Sequence, residues 1–381
     1  MRISDIDLTE LPILTRQDLR TQVASEGPLL RPGDGLAAHE HATSGSSGIP
    51  VRFFYSDFNA RYNSARSLAQ FFLEGRDPSL NRTRIRGADG PVKCGISVVK
   101  QGPWIGSLAR LIRSGGNKHI EHYTLDKENC HRLVQELQKD DIGYLVAVPS
   151  TVATIAASFD LGLLKAARIA MWIPLAGKPD PKVVETFGAL GIPVRANYSS
   201  EEVGMIAVEC SKFAGHYHVA TSNVIVEVVD QKLELDGAGV GNVLVTHLHS
   251  YATPFIRYEV GDLACLRAKC LCGRDAPTIY NLEGRASGVL KHRDGRLSRL
   301  FVRSKELTAI AEFSEYRMRQ TAFDRIVIEL GGRSELKAEE IAAVTALVQE
   351  QAGPEFDVEV KACERIDWGQ SRKRLAFRCE I

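Results

Sequence analysis

Residues Ala42-Thr43-Ser44-Gly45-Ser46-Ser47-Gly48-Ile49-Pro50 bring four hydroxyl side chains and two glycines into six consecutive positions, closed by a proline. Such a segment can wrap backbone N–H groups and hydroxyls around a polyphosphate, because glycine lets the main chain approach an anion and adopt positive φ. It holds no lysine and lacks the Gly-x-x-x-x-Gly-Lys-Ser/Thr spacing, so it is not the loop of a P-loop NTPase. A flexible Ser/Gly linker has the same composition. The surrounding chain has to decide between the two.

A phosphate loop needs a scaffold, and the pattern of apolar residues supplies one. Phe58, Tyr62, Leu68, Phe71 and Phe72 recur at helical steps over 56–74. Short apolar runs then alternate with helical stretches: a strand at 95–99, a helix at 127–137, a strand at 144–148, and a helix from Pro149-Ser150 to about 161. A strand at 168–174, a helix at 181–190 and a strand at 192–196 follow. This rhythm predicts a parallel sheet covered by helices. From about 205 the texture becomes β-rich, with strands at 224–229, 232–235 and 243–246 and turns at Asp236-Gly237 and 239–241, as in antiparallel structure. Beyond Glu283 come helices at 304–313 and 337–351, strands at 325–330 and 357–361, and a basic end, Ser371-Arg372-Lys373-Arg374. The expected fold class is α/β: a large N-terminal domain (1–284) of parallel α/β subdomains plus a β-rich subdomain, then a small C-terminal α+β domain (285–381).

The 381 residues are 44% hydrophobic and 25% charged, the balance of a globular protein. A formal net charge of +1 gives no electrostatic case for nucleic acid or an anionic membrane as partner. The N-terminus carries acids early and has no long apolar run, unlike a signal peptide, and no 18-residue apolar stretch suggests a membrane span. A cytoplasmic location is expected. There the eight cysteines stay reduced, and a cluster among them is better read as metal-binding than as a disulfide framework.

Several further segments, taken in order with the loop, resemble the adenylate-forming superfamily of acyl- and aryl-CoA synthetases and adenylation domains, and within it the phenylacetate-CoA ligase-like branch. The loop is similar to that family's phosphate-binding Thr-Ser-Gly-Ser/Thr-Thr-Gly-x-Pro, with Ser47 in place of threonine and Ile49 in place of lysine. Asn197-Tyr198-Ser199-Ser200-Glu201-Glu202-Val203-Gly204 is similar to Tyr-Gly-x-Ser/Thr-Glu-x-Gly. This register implies that Glu202 holds magnesium, with Glu201 as the adjacent competitor, and that Tyr198 stacks on adenine. Ala252-Thr253-Pro254-Phe255-Ile256-Arg257-Tyr258-Glu259-Val260-Gly261-Asp262-Leu263 resembles the family's Ala-x-Pro-x-Ile-Arg-Tyr-x-Thr-Gly-Asp-Leu nearly position by position. Asp262 would accept both hydroxyls of a ribose 2′,3′-diol, with Arg257 or Arg285 beside it. Gly284-Arg285 looks like the hinge before the mobile domain, though Ala286-Ser287 replace the usual aspartates. Lys373 stands where the family places its catalytic lysine; a basic tail is the alternative. The lead-in Leu11-Pro12-Ile13-Leu14-Thr15-Arg16-Gln17-Asp18-Leu19-Arg20 is similar to the branch's opening, so the resemblance runs from 11 to 373.

Cys270-Leu271-Cys272-Gly273-Arg274 is a short C-x-C, and upstream lie Glu209-Cys210 and Gly215-His216-Tyr217-His218. Three thiolates and an imidazole complete a tetrahedral structural zinc site. The branch often carries such a pair of motifs, which implies Cys210, His218, Cys270 and Cys272 as ligands, with His216 as rival to His218. Cys94, Cys130, Cys265, Cys363 and Cys379 remain packing residues.

The resemblance implies two-step chemistry with ATP and Mg²⁺: activation of an acyl or aryl carboxylic acid to an acyl-adenylate, then transfer to a thiol, most simply CoA. Thr43, Ser44, Gly45, Ser46, Ser47 and Gly48 would hold phosphate, and Lys373 the reacting oxygens. The acid pocket is expected among Tyr144, Ser150, Ala176, Gly177 and the Tyr198 region. Two alternatives stay open. The acyl group passes to a carrier-protein phosphopantetheine or an amine, or the chain binds a nucleotide without catalysis.

Overall fold

Thr15 and Asp18 exchange hydrogen bonds at the start of the first helix. The Thr15 N–H and hydroxyl donate to Asp18 Oδ2 at 2.8 and 2.6 Å, and the Asp18 N–H donates to Thr15 Oγ1. This reciprocal cap serves first-turn N–H groups that have no partner within the helix and fixes α1 (Arg16–Ser25). The computed structural model describes residues 7–25, 38–42, 51–88, 95–123, 125–175, 177–235, 238–285, 289–298, 300, 302, 304–313, 315–367 and 377–381. Strands β1 (Ala38–Ala42) and β2 (Arg52–Ser56) pair antiparallel, and α2 (Asp57–Leu73) takes the place of the helix expected over 56–74.

By compactness the chain divides into two units, Asn63–Tyr198, and Met1–Tyr62 with Ser199–Ile381. The first unit contains β3 (Arg82–Gly87), β4 (Ile96–Pro103), β5 (Gly116–His122), α3 (Lys127–Gln138), β6 (Gly143–Ala147), α4 (Pro149–Ser158), β7 (Ile169–Pro174) and α5 (Pro181–Ala189). Its sheet order is β4-β5-β3-β6-β7, all parallel except the edge strand β4. Cys130, Leu133, Val134 and Leu137 recur at helical steps along α3 and are its buried apolar face, behind an Asp126 N-cap. With Val152 and Ile155 of α4 and Phe187 of α5 they pack on Ile85, Ile120, Leu145 and Trp172 of the sheet. The alternating Arg82, Thr83, Arg84, Ile85, Arg86 of β3 buries only one face, which hides the strand from a search for apolar runs. The strand expected at 192–196 reduces to one bridge, Val194 opposite Trp172.

The second unit carries β8 (Asn197–Ser200), which leads into it, then β9 (Gly204–Glu209), β10 (Tyr217–Val219), β11 (Val224–Leu235), β12 (Ala238–His247), β13 (Tyr258–Arg267), β14 (Thr278–Arg285), β15 (Leu290–Lys291) and β16 (Leu297–Ser298). They form one sheet in the order β15-β16-β11-β12-β13-β14-β10-β9-β8. The runs at 224–229 and 232–235 are a single strand, irregular between Val229 and Leu233, where Asp230 takes φ +54°. Gly241 is not in a turn as expected. It lies in β12, where a Cβ would stand 2.1 Å from the Val229 carbonyl oxygen, so the close approach of β11 requires glycine.

The same unit ends in α6 (Ser304–Ile310), β17 (Glu315–Ala322), β18 (Arg325–Gly331), α7 (Ala338–Ala352), β19 (Asp357–Cys363) and β20 (Phe377–Cys379), with sheet order β19-β18-β17-β20. Met318, Ile326, Ile328 and Leu330 meet Leu307, Val344 and Val348 in a core of their own. The boundary expected at 284/285 falls inside this unit, at the end of β14. Among the described residues no helix is long and apolar enough to cross a membrane.

Candidate functional site

Glu202 sits in the turn after β8 with only 2% of its surface exposed. One oxygen, Oε1, accepts from Arg16 Nη2 at 3.1 Å and from the Tyr258 hydroxyl at 3.1 Å, and Arg16 Nε donates to that hydroxyl at 3.2 Å. Burial and the Glu202 charge push the Tyr258 phenol well above its usual range, so it stays protonated and donates. Burial alone would weaken the Arg16 guanidinium as an acceptor of its proton. Tyr258, Glu202 and Asp262 together reverse this and hold it more firmly charged. Asp262 lies on β13 opposite Arg285 of β14, directly after Gly261 at φ +84°, a conformation that favours glycine. Glu202, Asp262 and the Arg285 backbone therefore belong to one neighbourhood, in which Arg16 and Tyr258 bond to Glu202 and the Asp262 charge reaches Arg16. Glu201 is exposed beside them.

Arg257 does not serve as a ribose contact. It is 7% exposed, at φ +47°, and its guanidinium is committed elsewhere: Nε and Nη2 to Glu227, each at 3.2 Å, and Nη1 to the carbonyls of Thr9 and Leu11. With its donors taken up by a half-buried acid and the lead-in backbone, it binds the N-terminal segment to the sheet.

Residues 43–50, which include Thr43, Ser44, Gly45, Ser46, Ser47 and Gly48, lie outside the described residues, as do Ala176 and Lys373. Ala42 and Arg52, on either side of that segment, are antiparallel partners.

In the other unit, Ser150 and Gly177 follow the carboxyl ends of the parallel strands β6 and β7. Ser150 is exposed in the first turn of α4, and a Cβ on Gly177 would touch Pro149 at 3.7 Å. Loops at the carboxyl ends of parallel strands are where open α/β sheets bind ligands. Tyr144 is different. Its hydroxyl accepts from the Asp77 N–H at 2.8 Å and donates to the Asp77 carbonyl, while Phe71 and Trp104 pack edge-on against the ring. It is a core residue, not a pocket wall. Tyr198 is buried on β8.

The ligand atoms of Cys210, His218, Cys270 and Cys272 all lie within 4.8 Å of one another. The Cys210 and Cys270 sulfurs are 3.9 Å apart, and Cys272 Sγ is 3.5 Å from His218 Nε2. Zinc bonds to sulfur and nitrogen imply tetrahedral edges of about 3.3–3.8 Å, so the set fits a metal of that kind. The Arg274 N–H draws the Cys272 thiol below its usual range. Burial, with Arg274 and His216 nearby, keeps the His218 ring neutral, the form that can ligate. His216 is not part of the cluster: its ring lies against Phe213 and Tyr280, and its carbonyl accepts the Cys210 N–H. Of the other cysteines described, Cys130 and Cys265 sit buried against the Leu125 and Gly239 carbonyls.

No family pattern and no curated protein sequence matches the chain. Solved structures do. The chain superposes on 2-hydroxyisobutyryl-CoA ligase, in the postadenylation state in complex with 2-HIB-AMP, with TM-score 0.60 and 18% identity over 97% of this chain and 79% of that one. The fold is that of the adenylate-forming ligases. Two further solved structures share the fold. An anthranilate-CoA ligase in complex with anthranoyl-AMP gives TM-score 0.52 at 10% identity, over 88% of this chain and 64% of that one. An ATP-bound RpMatB-BxBclM chimera gives 0.55 at 14%, over 91% and 67%.

On this fold, the sequence singled out Glu202 and Asp262 and gave no role to Arg16 or Tyr258, which bond to Glu202 and to each other. The signal for both was present. Arg16 sits inside the lead-in motif and Tyr258 inside the Ile-Arg-Tyr motif, where the neighbouring Arg257 drew the assignment instead.

Proposed function

We propose that the chain activates a carboxylic acid with ATP and then passes the acyl group to a thiol, most simply CoA. The observation that carries this reading is the grouping of Glu202 and Asp262 around Arg16 on a fold whose solved members hold acyl-adenylates and ATP. In the first step a carboxylate oxygen attacks the α-phosphorus, the bond to the β-phosphate bridging oxygen breaks, and pyrophosphate leaves. In the second a thiolate attacks the acyl carbon, and AMP leaves with the bonding electrons. Both steps depend on positioning and charge stabilisation rather than on a protein nucleophile.

In this reading Thr43, Ser44 and Ser46 hold phosphate. Asp262 takes the ribose diol, with Arg285 across the strand pair from it, and Glu202 is the carboxylate available to a magnesium ion. The metal, when bound, neutralises phosphate charge. Ser150 and Gly177 are the residues assigned to the acid, and Lys373 to the reacting oxygens. Residues 285–381 act as the small second domain. The cysteine–histidine cluster binds zinc for structure, joining the β9–β10 and β13–β14 connections.

Acid-dependent release of pyrophosphate from ATP, screened over aryl, fatty and amino acids, tests the proposal. Release with one acid class, and its loss in Lys373→Ala, supports it. No release with any class, under conditions where ATP binds, leaves a nucleotide-binding protein without this activity.

A further inference from the structure

Arg16 is placed where a helix by itself would not want it. It is the first residue of α1, at the positive end of the helix dipole, where a cation is disfavoured. The segment is nonetheless fixed there on both sides. The Leu14 N–H donates to the Arg257 carbonyl and the Glu259 N–H to the Leu14 carbonyl, and Arg257 grips the carbonyls of Thr9 and Leu11. These bonds hold Arg16 in register with β13, the strand that carries both Tyr258 and Asp262.

We propose that Arg16 is the cationic contact for the nucleotide phosphates, supplying the charge that Ile49 does not. The inference rests on the acid-activation reading. In a nucleotide the phosphates run from the ribose towards the metal. With the ribose at Asp262 and the metal at Glu202, the phosphates would pass the Arg16 guanidinium, which is bonded to Glu202 and held more firmly charged by Asp262 as well. Its side chain is 21% exposed while that of Glu202 is 2% exposed, so the cation is the accessible member of the pair. Contacts to Glu202 and Tyr258 use Nη2 and Nε, and the planar fork has further donors suited to phosphate. One guanidinium acted on by two carboxylates leaves that trio net negative until a divalent ion binds. That ion takes over the charge of Glu202, and Arg16 turns to the phosphates.

The test is equilibrium binding of adenosine, AMP and a nonhydrolysable ATP analogue, with magnesium, to the full chain and to Arg16→Gln and Arg16→Lys, with thermal unfolding of each. Arg16→Gln is expected to weaken the ATP analogue on the order of 10- to 100-fold, AMP less, and adenosine by no more than about 2-fold. Arg16→Lys, which keeps the charge but not the fork, should recover part of the loss. If Arg16→Gln does not fold, Arg16→Lys decides, with a smaller loss confined to the phosphorylated ligands. A parallel loss for all three ligands, or no loss for any, overturns the proposal and leaves Arg16 a structural ion pair. Failure of the unsubstituted chain to bind adenosine or the ATP analogue overturns the functional reading and this proposal together. Binding by the unsubstituted chain without discrimination in the variants overturns this proposal alone.

Discussion

Arg257 and Glu227, 30 residues apart in sequence, meet in a two-point ion pair, Nε to Oε2 and Nη2 to Oε1, each at 3.2 Å. The pair is mostly buried, and the same guanidinium also holds two carbonyls of the lead-in. Removing one member of such a pair leaves an uncompensated charge in a site that water barely reaches. Arg257→Met should therefore cost about 3–5 kcal/mol of stability, measured by urea unfolding. Adenosine affinity of the folded protein should remain. A ribose contact would give the opposite pattern, little change in stability and a large loss of affinity.

Asp262 carries the converse expectation. A carboxylate accepts from both hydroxyls of a 2′,3′-diol, whereas an amide puts a donor against one of them. Asp262→Asn should weaken adenosine on the order of 10-fold or more with the fold intact. Binding of 2′,3′-dideoxyadenosine supplies the control. It should be weak, and equally weak, in both proteins. A difference between the two with the dideoxy ligand would remove the diol from the explanation.

Metal content tests the cysteine–histidine cluster apart from catalysis. Elemental analysis should find about one zinc per chain, lost in Cys270→Ser, because a four-ligand structural site tolerates little subtraction. Chelation should lower the thermal midpoint of the unsubstituted protein and leave that of Cys270→Ser where it was. His216→Ala should keep its zinc, since that ring packs on Phe213 and Tyr280 outside the cluster.

What could be read from the sequence depended on whether a position announces its own environment. The helix over 127–137 was legible because its apolar steps are its buried face. The grouping of Cys210, His218, Cys270 and Cys272 was legible because thiols and imidazoles at short spacing have few other uses. β3 was not, since three arginines occupy its other face. Nor could local sequence show that Tyr258, rather than Arg257, turns to Glu202 and Arg16. Which of two adjacent side chains points at the site is fixed by strand register and by a lead-in more than 240 residues away in sequence.

Tyr144 illustrates the same limit, and a single atom tests it. Its hydroxyl makes two hydrogen bonds to the Asp77 backbone, one from the N–H and one to the carbonyl. Tyr144→Phe should destabilise the protein by about 1–3 kcal/mol through the orphaned main-chain groups. The KM for whichever acid is activated should not move. A change in KM without a change in stability would return Tyr144 to the pocket.

Lys118 gives the pH dependence. Its ammonium is 7% exposed and meets Glu136 Oε1 and Asp140 Oδ2, each at 2.9 Å. Lys139 and Lys100 close on the same two acids from outside. Burial would raise the Glu136 pKa, but Lys139 and Lys118 outweigh it and hold the carboxyl below its usual range. Hydrogen bonds from Lys118 and Lys100 do the same for Asp140. A carboxyl depressed in the folded state contributes stability above its unfolded pKa, about 4, and loses it as pH falls through the folded value. Lys118→Met should therefore cost about 1–3 kcal/mol at pH 7, since Lys139 and Lys100 still face the two acids. The cost should shrink as pH falls below about 4, where the acids protonate and no longer need the ammonium. Urea unfolding of both proteins at a series of pH values reads this directly. An undiminished difference in acid would mean that Lys118 acts through packing of its methylene stem and not through its charge.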